Sequence, residues 1–159
     1  MKKKLLIPLA LLLVVTAVIA LVHRSGQDDV DCMVIRWDNT ETVVSFEDLD
    51  RESFDGELID GKGTVTAHSY RGVELSRLLE EGILSPGGAT VISVTSADNY
   101  TAEFTVDEVL QSGRIYLAIE VDGTAVRNID GDGPGVQLVV FGDPDSRRCV
   151  RYAAIITAK

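Results

Sequence analysis

The chain has few of the residues that most often do chemistry. Its histidines are His23 and His68 and its cysteines are Cys32 and Cys149, with only His23 and Cys32 near each other in sequence. That set is too small and too scattered for a zinc site. No Gly-x-Ser-x-Gly elbow offers a serine nucleophile, and no Leu-x-x-Cys lipoprotein pattern precedes Cys32. Aromatic residues make up 6%, with Trp37 the one tryptophan. Bases are scarce as well. Four of the 15 (Lys2, Lys3, Lys4 and Arg24) fall in the first 24 residues, so eleven face all 25 acids over residues 25–159, a net −14. A body of that charge repels phosphate backbones, which excludes nucleic acid as a partner.

What is present is ordinary globular material. The 159 residues, 45% hydrophobic and 25% charged, suffice for a leader and one domain. Residues 1–24 are the leader. After three lysines, Leu5 to Val22 is an uncharged run whose helical length comes to about 27 Å, close to the ~30 Å hydrocarbon core of a bilayer. The lysines favour a cytoplasmic start and an exported body. The segment reads as an uncleaved membrane anchor spanning residues 5–22, with secretion after cleavage near Ala20 as the alternative. Residues 25–31 form a short polar linker, and 32–159 form the domain. In an oxidising compartment Cys32 and Cys149 are a disulfide candidate, tying the start of the domain to its end; the alternative is two separate buried thiols.

Along the domain, strands are expected at Cys32–Trp37, Thr42–Ser45, Thr64–Tyr70, Thr90–Thr95, Thr101–Phe104, Arg114–Val121, Val136–Phe141 and Arg148–Thr157. Ser45 reads as the cap of a short helix. A helix is expected over Val73–Glu81, with Leu75, Leu78, Leu79 and the trailing Ile83 on the buried face and Glu74, Arg77 and Glu80 in water. Gly82 ends it. Thr105-Val106-Asp107-Glu108 is a capping box, and Asp122-Gly123 signals a tight hairpin. The almost wholly apolar run Val136–Phe141 predicts a strand buried on both faces.

Several constellations suggest chemistry and then fall short of it. Gly131-Asp132-Gly133-Pro134-Gly135 looks like a phosphate loop, but a strand rather than a helix follows it and Pro134 has no N–H. Asn128, Asp130, Asp132 and Gly133 match half a calcium loop, yet the twelfth position is Val139. Asn99-Tyr100-Thr101 has the form of a glycosylation sequon. His68, in an alternating strand near Tyr70, could act as a catalytic base, but it has no obvious partner and reads rather as a half-exposed sheet residue.

A wider pattern remains: Ser45-Phe46-Glu47-Asp48-Leu49, Tyr70-Arg71-Gly72-Val73-Glu74-Leu75 followed by Leu78-Leu79, Ser96-Ala97-Asp98-Asn99-Tyr100, Gly133-Pro134 ahead of an apolar strand, and Ala153-Ala154-Ile155-Ile156. In order and spacing this resembles the molybdopterin-binding domain of the sulfite-oxidase-like family in a short exported form, over residues 33–158. The resemblance implies an α+β fold, a mixed-sheet or barrel-like domain with few short helices, behind one N-terminal hydrophobic helix. It also implies a cleft gathering Tyr70, Arg71, Ser96, Asp98, Asn99, Tyr100 and the Gly131–Gly135 loop, Gly133 included. In the family's enzymes a cysteine thiolate ligates molybdenum; here Ser96 stands in that place, and Gln137 stands where a cation would grip the cofactor's phosphate. The expectation is therefore a degenerate domain without metal or other cofactor, a non-catalytic binding or interaction module. Its cleft should lack a thiol and hold Arg71 and Arg127 as its chief cations. An unknown small polar or cationic ligand, or a protein partner's loop, would fill it. The alternative is a molybdopterin-dependent oxidoreductase, or a component of one.

Overall fold

The computed structural model describes residues 32–37 and 40–159. Turn chemistry and alternation set most of its elements. β1 (Cys32–Trp37) and β2 (Thr40–Ser45) pair antiparallel, and Ser45 then caps a 3-10 turn, Phe46–Asp48, by accepting from Glu47 N–H. β3 (Glu52–Ile59) and β4 (Val65–Glu74) form a long hairpin. Helix α1 (Leu75–Glu80) follows, ended by Gly82 at φ 71°. β5 (Val91–Ser96) and β6 (Thr101–Thr105) make the next hairpin. The Thr105–Glu108 capping box opens α2 (Val106–Val109). β7 (Ile115–Val121), β8 (Thr124–Ala125), β9 (Gln137–Val140), a 3-10 turn at Ser146–Arg148 and β10 (Ala153–Ala158) complete the chain.

The strands form two sheets rather than a closed barrel. One has the order β2-β1-β10-β5-β6, and its β1–β10 pairing is parallel. The other has the order β3-β4-β7-β8, with β9 also paired to β7. The main core lies among Ile35, Phe46, Leu75, Leu78, Ile92, Phe104, Leu117 and Ile156, all at most 1% exposed. A second cluster on β3, β4, β7 and β9 centres on aromatic rings. Phe54 stacks on Tyr70 and Tyr116 at centroid distances of 5.3 and 3.9 Å, and Phe141 meets Tyr70 edge-on at 5.8 Å.

The structure corrects several expectations. β3 was not anticipated. The helix expected from Val73 begins only at Leu75, because β4 stays paired with β7 through Val73 and Glu74. Glu74 is accordingly buried, and its carboxylate accepts from Gly113 N–H. The expected last strand from Arg148 is broken by the 3-10 turn and by Tyr152 at φ 56°. Cys32 and Cys149 are both free thiols. Cys32 is exposed where β1 begins, whereas Cys149 is half-buried against the main core and its sulfur accepts from Val140 N–H at 3.4 Å. The proposed span over residues 5–22 lies outside the described residues. Among those described, no helix is long and apolar enough to cross a membrane.

Candidate functional site

The β5–β6 turn brings in the first group. Ser96 is 3% exposed, and its hydroxyl serves the turn itself: Oγ donates to the Asp98 carboxylate and accepts from Tyr100 N–H at 2.9 Å. Asn99 takes the left-handed conformation at φ 70°, which its short amide tolerates, and its N–H donates to Ser96 O at 3.1 Å. The Ser96 hydroxyl, and then Tyr100 N–H, hold the Asp98 carboxyl below its usual range, so it stays ionised. The turn is fastened at both ends. Ala97 N–H donates to Tyr152 O at 2.9 Å, and the Tyr100 hydroxyl donates to Arg147 O.

The second group comes from residues 126–135. Gly135 N–H donates to Val126 O at 2.9 Å, and a Cβ on Gly135 would lie 2.5 Å from the Arg127 carbonyl, so only glycine permits this approach. Asn128 closes the loop from within. Its Oδ1 accepts from Gly131 N–H at 2.8 Å and its Nδ2 donates to Asp132 at 3.0 Å. The apparent half calcium loop is thus a self-satisfied turn, with Gly133 packed under Asn128. Next to it, β9 carries Gln137, and the Leu138–Val150 bridge sets Arg151 beside it.

Two adjoining cavities result. One of about 490 Å³ is lined by Arg127, Asn128, Gln137, Arg151 and Tyr152, among others. The second, of about 300 Å³, is lined by Asp98, Tyr100, Gln137, Ser146, Cys149 and Arg151. Gln137 and Arg151 face both. The Arg127–Gly131 stretch thus lines the first cavity and Asp98 and Tyr100 the second, and the two together form the hollow on either side of Gln137 and Arg151. Ser96, Asn99 and Gly133 line neither cavity: Ser96 and Gly133 are buried and Asn99 is exposed in its turn. Tyr70 and Arg71 line neither cavity. Tyr70 belongs to the aromatic cluster, where burial pushes its phenol up to about 12. Arg71 is exposed on β4 between Ser53 and Glu120 of the neighbouring strands.

Two features of the hollow went unseen in the sequence. The first is a thiol, Cys149, where none was expected. Burial raises its titration, so it is held as the neutral thiol, a poor nucleophile and a poor ligand. The second is Arg151. Neither Arg127 nor Arg151 has an acidic partner among the described residues. Other arginines are engaged: Arg114 and Arg148 share Glu108 and Asp143 at 2.6–3.3 Å, and Arg147 pairs with Asp145 at 2.6 Å. His68, which lacked a visible partner in the sequence, lies 2.7 Å from Asp122.

No family model matches the chain, and no curated protein matches it. Among solved structures, it is similar to the sulfane dehydrogenase SoxCD from Paracoccus pantotrophus, with a TM-score of 0.61 and 20% identity. The match covers 80% of this chain and 37% of that one, so the chain spans little more than a third of that neighbour's length. At this identity the likeness is one of fold alone, and the fold is the mostly β arrangement with short helices that the sequence leads one to expect.

Proposed function

We propose that the body is a non-catalytic binding module, held outside the cytoplasm by residues 5–22, whose hollow takes a small anion. Ser96 carries this reading. A thiolate-ligated metal needs a free donor at that position, and the buried Ser96 hydroxyl is already committed to Asp98 and Tyr100. Ligation through it would break the turn, and a hydroxyl is in any case a harder, less acidic donor than a thiol. The residues present do not fit a molybdopterin centre, and Cys149, kept as the neutral thiol, does not replace the missing ligand.

What the hollow does offer is two guanidiniums, neither with an acidic partner among the described residues, beside an amide. Asp130 lines the same cavity, but the two guanidiniums outnumber its carboxylate and with Gln137 they suit a small anion. The acidic surface keeps polyanions away, while the local arginines hold a small one. Calorimetric titration with inorganic sulfate tests this. Arg151→Ala is expected to weaken sulfate binding by about tenfold, the loss of one charge-assisted hydrogen bond. Equal affinity in the variant and the parent would overturn the assignment. The fold neighbour's dehydrogenase activity favours the competing reading, a molybdopterin-dependent oxidoreductase or one component of such a system.

A further inference from the structure

One wall of the hollow is fastened by a titratable contact. β7 turns through Asp122 and Gly123, both left-handed at φ 50° and 74°, into β8, and the chain then runs through Val126 to Arg127. The Asp122 carboxylate reaches back to β4. Its Oδ2 lies 2.7 Å from His68 Nδ1, and its Oδ1 accepts from Ser69 N–H at 3.0 Å. Asp122 N–H donates to Ser69 O at 2.8 Å. The charged groups sharing a depression with His68 are Asp122 from the turn and Asp55 and Glu57 from β3. Tyr70, on its own strand, sits edge-on at 5.9 Å.

We propose that the His68–Asp122 contact is a pH-dependent latch on the β7–β8 hairpin, which makes the arginine hollow hold its anion more tightly in mildly acid than in mildly alkaline solution. The inference rests on the anion-binding reading above. A protonated imidazole makes a charge-assisted bond to the carboxylate, and a neutral ring makes a weaker one. Asp122 is held below its usual range, chiefly by the bond from His68 and then by Ser69 N–H, so it stays ionised while an imidazole titrates. The latch is therefore strong while the imidazole carries its proton and weak once it is neutral. Loosening it frees the Asp122–Ala125 end of the hairpin, and because Arg127 stays bridged to Pro134 the effect that reaches the hollow is a modest one.

The test follows amide hydrogen exchange of the hairpin and calorimetric binding of inorganic sulfate, a dianion throughout, at about pH 5.5 and about pH 8. The parent should show slower hairpin exchange, corrected for intrinsic rate, and about two- to five-fold tighter sulfate binding at the lower pH. His68→Gln retains a neutral donor. Asp122→Asn retains a residue favoured in the left-handed turn. Both variants should still bind sulfate, without the pH dependence. Hairpin exchange that does not change with pH in the parent refutes the latch, as does a pH dependence that persists in both variants. Absence of sulfate binding at either pH refutes the anion reading instead, so the two failures are distinct.

Discussion

Gly72→Ala should destabilise the protein by more than about 4 kcal/mol, beyond the usual range for a single substitution. A Cβ at this position would lie 2.0 Å from Leu117 O and 2.8 Å from Ala118 Cα, both backbone atoms of the paired strand β7. Neither can give way without breaking the β4–β7 ladder, whose register already shifts between Arg71 and Gly72. Gly61→Ala is the control. Nothing lies within 4 Å of its added Cβ, and stability should change by less than about 1 kcal/mol. Chemical denaturation of the two variants reads the difference. Equal stability would show that the two strands do not approach as described.

Leu78→Ala should cost roughly 2–5 kcal/mol, the lost transfer energy plus the cavity left behind. Leu78 is 1% exposed and lies on α1 with Leu75, which is fully buried, in the main core. Leu79 only packs against that core, so Leu79→Ala should cost less. Denaturant melts of both variants check the order. A loss under about 0.5 kcal/mol for Leu78→Ala would mean that another helix face is buried.

The residues behind these two predictions show what the sequence made legible. Tyr70-x-Gly72-x-x-Leu75 was the most specific part of the family pattern, and each of the three positions has a packing role: Tyr70 in the aromatic cluster, Gly72 at the close strand approach, Leu75 in the core. The pattern thus reports the architecture, and none of the three residues lines the hollow. The leucine periodicity of α1, the Thr105 capping box and the Asp122-Gly123 hairpin were readable because their causes are local.

β3 has no clear local signature, because Asp55-Gly56 in its middle has the composition of a turn. Gly56 is required there for another reason: a Cβ would lie 2.2 Å from the Phe141 ring, a contact across 85 positions of chain that no local pattern encodes. Arg151 escaped because residues 148–157 read as one strand, and the left-handed Tyr152 that interrupts it is not a residue that advertises such a conformation. The His68–Asp122 pair joins residues 54 apart. The family pattern sets Ser96 at the position of the thiolate ligand, but the use of its hydroxyl to hold the β5–β6 turn is visible only in the hydrogen bonds.

The role of Ser96 can be measured most directly by expressing the full chain in a molybdenum-replete host that makes pterin cofactor. The purified protein is then assayed for metal by elemental analysis and for pterin by fluorescence after oxidation. With its hydroxyl committed to Asp98 and Tyr100, Ser96 should leave the protein without stoichiometric molybdenum or pterin. Molybdenum and pterin recovered together at one per chain would contradict the account and return Ser96 to the position of a ligand.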